Sequence, residues 1–161
     1  MKEKHLACEF KRNPEKAEAR LHINSFLMGS LFTVLALLWT FSPERISSWI
    51  LSQIVLAIPL ILFASLSYAK LGYERNHKVW DRFGWWTNNL GYLLFLNSTG
   101  LIVASFSSRL VAFLYFALVV VLSIFYYGLN IRSQPGTLKE HVWKLILFLV
   151  VIYLGGIRPA L

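Results

Sequence analysis

The sixteen Lys and Arg residues of this chain fall between apolar blocks in a strict alternation of dense and sparse groups. In order they are Lys2, Lys4, Lys11, Arg12, Lys16 and Arg20; Arg45; Lys70, Arg75, Lys78 and Arg82; Arg109; Arg132, Lys139 and Lys144; and Arg158. Thirteen belong to one set of alternate segments and three to the other. Short loops rich in Lys and Arg stay on the cytoplasmic side of a membrane. The pattern therefore predicts five crossings, with the N-terminus in the cytoplasm and the C-terminus outside.

Composition agrees with a lipid solvent. Charged residues are 15% of the chain and hydrophobic ones 57%, against roughly 25% charged in an ordinary soluble domain. A net charge of +8 would suggest nucleic acid in a soluble protein. Here the basic excess lies in inward-facing loops, where anionic headgroups attract it, so membrane lipids are the expected partner and nucleic acid is not. The expected location is the plasma (inner) membrane.

The expected fold class is all-α, a polytopic membrane protein with a bundle of five transmembrane helices at about 21–41, 46–69, 90–106, 110–131 and 142–157. Residues 1–20 form a charged cytoplasmic arm, and 21–161 a single transmembrane domain with no separate soluble unit. Asn13 and Pro14 read as the N-cap and first position of a helix that runs straight into the bilayer. The first block lacks the short apolar core and small-residue cleavage site of a signal peptide, so it reads as a retained anchor. Cys8, the only cysteine, excludes an intrachain disulfide; a free thiol is expected ahead of palmitoylation.

Local chemistry sets the expected breaks. Ser42-Pro43-Glu44-Arg45 makes a turn flanked by Trp39 and Trp49, in the manner of an aromatic belt. Pro59 removes a backbone hydrogen bond within the second span, and Ser52, Gln53 or Ser65 are the candidates to partner the freed carbonyl. Ser107-Ser108-Arg109 is so short that the third and fourth spans form an antiparallel hairpin. Lys144 reaches the interface by snorkelling, and Gly155-Gly156 with Pro159 is expected to end the fifth span.

Four groups of residues carry the candidate chemistry. Arg75, Lys78, Trp80, Arg82, Trp85 and Trp86, in a loop from Lys70 to Asn89, mix bases with aromatics as expected of a segment in the headgroup layer that binds lipid or a partner. Asn97, Ser98 and Thr99 are the most polar intramembrane patch, serving either as interhelical hydrogen-bond glue or as the lining of a solute pathway. Gly91 and Gly100 would let a neighbouring helix approach. Glu74, His77 and Asp81 would share one face if the loop is helical, and with Glu18, His22, Glu140 and His141 they form a candidate metal site, Glu-x-x-His being half of a dimetal pattern.

No nucleophile elbow, phosphate loop or Cys-x-x-Cys occurs, and no motif names a cofactor. The four histidines map to one half of the membrane, which disfavours haem held between opposite faces. Proton-coupled transport is not expected, because the spans lack ionisable groups other than Lys144 at an edge. The leading expectation is a non-catalytic integral membrane subunit or assembly factor that binds a protein partner, another copy of itself or lipid. The alternatives are a homo-oligomeric channel or facilitator for a small neutral solute and a metal-dependent lipid-modifying enzyme at the inner leaflet.

Overall fold

A backbone placed in hydrocarbon must pair its own N–H and C=O groups, which leaves the helix as the solution for a chain of this pattern. In the computed structural model, which describes residues 14–41, 44, 46–71, 77–133 and 138–160, the apolar blocks are helices throughout. They are α1 (Pro14–Phe41), α2 (Ser48–Lys70), α3 (His77–Phe106), α4 (Arg109–Ser133) and α5 (Leu138–Ile152). A π-helical turn, Tyr153–Ile157, and a short α6, Arg158–Ala160, prolong α5.

Five stretches are long and apolar enough to cross a membrane: Ala17–Thr40, Ser48–Lys70, Val79–Phe106, Arg109–Leu129 and His141–Ala160. A rise of about 1.5 Å per residue makes even the 20-residue span His141–Ala160 about 30 Å long, enough for the hydrocarbon core. The chain is thus a multi-pass membrane protein. Residues 1–13, with Cys8 and the Asn13 cap, lie outside the described residues, as do Ser42, Pro43 and Arg45 of the first turn.

Two boundaries differ from expectation. The segment taken as a loop up to Asn89 is helical from His77 onward, so α3 starts well before residue 90. Its early turns are held by packing: Gly84, Thr87 and Asn88 are buried, and a Cβ on Gly84 would stand 2.9 Å from the Tyr68 ring of α2. The second difference is at Gly155-Gly156, which does not end the last span; the helix widens into the π turn and runs through Pro159 to Ala160. Local propensity against glycine is overridden there by tertiary contact. At Pro59, α2 continues unbroken. Ser52, Ser65 and Gln53 donate to the carbonyls of Trp49, Ile61 and Gly155, so the expected rescue of the Pro59-freed carbonyl by these side chains is not what they do.

The centre of the bundle is the α2–α3 pair. On α2, Ile50, Ile54, Ala57, Ile61, Ala64 and Tyr68 are buried at three- and four-residue spacing, one face of a helix. On α3, Gly91 lets that face approach: a Cβ there would lie 2.7 Å from Ile61 Cγ1. Between helices in lipid the gain comes from close contact and hydrogen bonds rather than from water release, which is why small residues line the seam. Leu31 and Leu38 of α1 and Leu101 of α3 complete this core, while Leu93, Phe116 and Ile152 form a second cluster joining α3, α4 and α5.

Both ends of the bundle are marked by side-chain contacts. At one end the Arg20 guanidinium lies 4.7 Å from the Tyr68 ring and 3.4 Å from Asp81, Lys70 lies over Trp80, and Lys144 over Trp85. These pairs gather the start of α1, the end of α2 and the starts of α3 and α5. At the other end, Trp49 at the start of α2 donates to Gly155 near the end of the last span. By these contacts α1, α3 and the last span run one way and α2 the other.

Candidate functional site

Proline has no N–H, so Pro159 cannot serve the carbonyl four residues before it, that of Gly155. That carbonyl instead accepts from two side chains of α2, Gln53 Nε2 at 2.8 Å and Trp49 Nε1 at 3.1 Å. One turn earlier the Val151 carbonyl accepts from Asn97 Nδ2 at 3.1 Å. The two buried amides thus tie α2 and α3 to the last span where its backbone leaves α-helical register.

Glycine makes the approach possible. A Cβ on Gly156 would stand 2.5 Å from Phe116 Cε1 and 2.6 Å from Asn97 Oδ1, and one on Gly155 would overlap Asn97 Nδ2. The Phe116 ring also presses on Gly100. Gln53 Oε1 and Asn97 Oδ1 are buried without a partner among the described residues, so each amide is only half used, an arrangement that costs free energy in a low-dielectric interior.

Of the intramembrane patch named from sequence, Asn97 and Ser98 are buried and Thr99 is half-buried. Ser98 and Thr99 both donate to the Phe95 carbonyl of their own helix at 2.9 Å, and Asn97 donates across to Val151. Tyr115 adds a link from α4 by donating to the Leu96 carbonyl at 3.1 Å. The patch is therefore brought together with Gln53, Trp49, Gly155 and Gly156, which sequence reasoning did not assign to it. The available signals were a lone amide in the apolar second block and a proline four residues after Gly155.

Nearer the Arg20 end lies a second polar cluster that the sequence reading missed. Asn24 is fully buried; its Nδ2 donates to Ser65 Oγ at 3.2 Å, and its Oδ1 accepts from the Tyr92 hydroxyl at 2.7 Å. One asparagine thereby joins α1, α2 and α3. Tyr92→Phe is expected to cost about 1 kcal/mol, since it leaves a buried amide oxygen without its donor; chemical or thermal unfolding in detergent micelles measures it.

The basic and aromatic residues divide. Trp80, Arg82, Trp85 and Trp86 lie on the first turns of α3, with Trp80, Trp85 and Trp86 half-buried and Arg82 exposed. The Trp85 and Trp86 rings meet edge-on at 5.0 Å. Lys78 is in the same helix, but its side chain lies outside the described residues, as does Arg75 altogether.

The metal candidates also divide. Asp81 faces Arg20 at 3.4 Å, His22 faces Glu18 at 3.6 Å, and His141 Nε2 is buried without a hydrogen-bond partner among the described residues. Glu74 and the side chains of His77 and Glu140 lie outside the described residues. Among the described residues no three metal-ligating side chains converge. Compared with family models, curated proteins and solved structures, the chain matches none.

Proposed function

We propose that this protein is a non-catalytic membrane subunit or assembly factor whose first helix docks against a transmembrane helix of a protein partner. The observation that carries the reading is on the outward face of α1. Ser25, Gly29, Thr33, Ala36 and Thr40 succeed one another at three- and four-residue spacing and are all exposed. Small residues so spaced let a second helix approach closely, the contact on which association in lipid depends. The hydroxyls of Ser25, Thr33 and Thr40 already donate to carbonyls of their own helix, so burying this ridge strands no polar donor. An added Cβ on Gly29 would meet nothing within 4 Å among the described residues, so their packing does not require glycine there.

Lipid binding by the Trp80, Arg82, Trp85 and Trp86 end belongs to the same reading, as does an orientation that sets this end and the N-terminus in the cytoplasm and the C-terminus outside a plasma membrane. A solute pathway gains no support, since Ser98 and Thr99 spend their hydroxyls on the Phe95 carbonyl.

A photo-reactive amino acid at position 29, activated in native membranes, is expected to give a discrete protein adduct, whereas one at Leu118 of α4 is not. Gly29→Leu is expected to abolish copurification of that partner in mild detergent while leaving the unfolding midpoint unchanged. A chain that yields no adduct from position 29, or keeps its partner in Gly29→Leu, does not use this face.

A further inference from the structure

Where α4 passes the last span there is a hollow of about 210 Å³. It exists because three of its wall positions carry only a methyl group, Ala112, Ala117 and Ala160, while Phe116 and Ile157 supply bulk around them. The volume exceeds the roughly 150 Å³ of an apolar cavity that stays dry and takes up benzene. Left empty, such a hollow deprives its lining of dispersion contacts. It is partly open, and Phe113 at its wall is exposed on the lipid-facing side of α4.

Among the described residues that line it, one is charged. Arg109 lines the same hollow, is exposed, and has no ion-pair partner among the described residues. It is the first residue of α4, so it stands at the end of a membrane span, at the depth of headgroups. Guanidinium and phosphate form charge-assisted, often bidentate hydrogen bonds.

We propose that this hollow is a lipid site that seats one acyl chain of an anionic phospholipid against Ala112, Ala117 and Phe116, with its phosphate on Arg109. The two halves of the site match the two halves of the ligand: an apolar recess with little polar lining for the chain, and a cation at its mouth for the headgroup. The site is independent of the α1 face and of which side of the membrane Arg109 occupies.

Native mass spectrometry of the delipidated full chain tests it with three probes: phosphatidylglycerol, diacylglycerol of the same chain length, and inorganic phosphate. The wild-type protein is expected to retain one phosphatidylglycerol, about tenfold more tightly than diacylglycerol, and to bind no inorganic phosphate. Ala117→Phe, which fills the recess, is expected to weaken both lipids about tenfold. Arg109→Gln is expected to remove the preference for phosphatidylglycerol while leaving diacylglycerol retention unchanged. Should Ala117→Phe fail to fold, Val120→Trp on the same wall gives the same readout. Equal lipid retention by the filled variant and wild type overturns the chain site, and an undiminished phosphate preference in Arg109→Gln overturns the headgroup contact.

Discussion

Gly156→Val is expected to destabilise the protein by about 3 kcal/mol, the combined cost of an overpacked contact and a disturbed amide. The Cβ alone would come within 2.5 Å of Phe116 Cε1 and 2.6 Å of Asn97 Oδ1. Neither neighbour has an easy escape. Phe116 is also pressed against Gly100, and Asn97 is held by its bond to the Val151 carbonyl. Two glycines elsewhere provide the control, because an added Cβ at Gly29 or Gly128 meets nothing within 4 Å among the described residues. Gly29→Ala and Gly128→Ala are expected to be neutral or stabilising by up to about 1 kcal/mol, the helix-propensity difference. Unfolding midpoints of the three variants in one detergent settle the contrast, and a Gly156→Val protein as stable as Gly128→Ala would mean that the Phe116 contact is loose.

That glycine was legible in the sequence only as a stop signal, and the reason is instructive. Backbone hydrogen bonding in lipid is a requirement that every span meets alone, so five apolar blocks translate into five helices without knowledge of their neighbours. The hairpin at Ser107-Ser108-Arg109 is equally local, since so short a link fixes the direction of both helices. Helix ends next to other helices are different. Gly155-Gly156 ends a helix in isolation, but here its missing side chains are what admit Phe116 and Asn97, and the contacts hold the backbone helical. The start of α3 escaped for the same reason: charges at Lys78, Asp81 and Arg82 read as a loop, whereas Gly84, Thr87 and Asn88 bury a face against α2.

The site was legible in part. Asn97 stands out in the sequence as an amide at membrane depth, with hydrogen bonding between helices as one of its two expected uses. Its partner was beyond reach, because one sequence does not say which helices are adjacent. The second amide, Gln53, reads from the sequence as one of three candidates to serve the carbonyl freed by Pro59. Pro59 lies on its own helix, yet the carbonyl that needed a donor was the one released by Pro159 on another. Asn24 received no role at all, although its burial joins three helices; a single asparagine among apolar residues gives no sign of whether it faces lipid or protein.

The closeness of Asn97 to Gly155 sets up a compensating pair. Asn97→Ala alone is expected to cost about 3 kcal/mol, because it opens a cavity and leaves the Val151 carbonyl without its side-chain donor. Gly155→Ala alone is expected to cost about 2 kcal/mol, since its methyl group would overlap Asn97 Nδ2 and force the amide off its bond. In the double variant the new methyl occupies space that the amide has vacated, and there is no amide left to displace. The combined loss should therefore fall short of the sum by about 1–2 kcal/mol, a coupling typical of residues in contact. A double-mutant cycle measured by reversible unfolding in mixed micelles reads this term directly. Additive losses would place the two residues out of contact, and the last span would then owe its π turn to Pro159 and the α2 donors Trp49 and Gln53 alone.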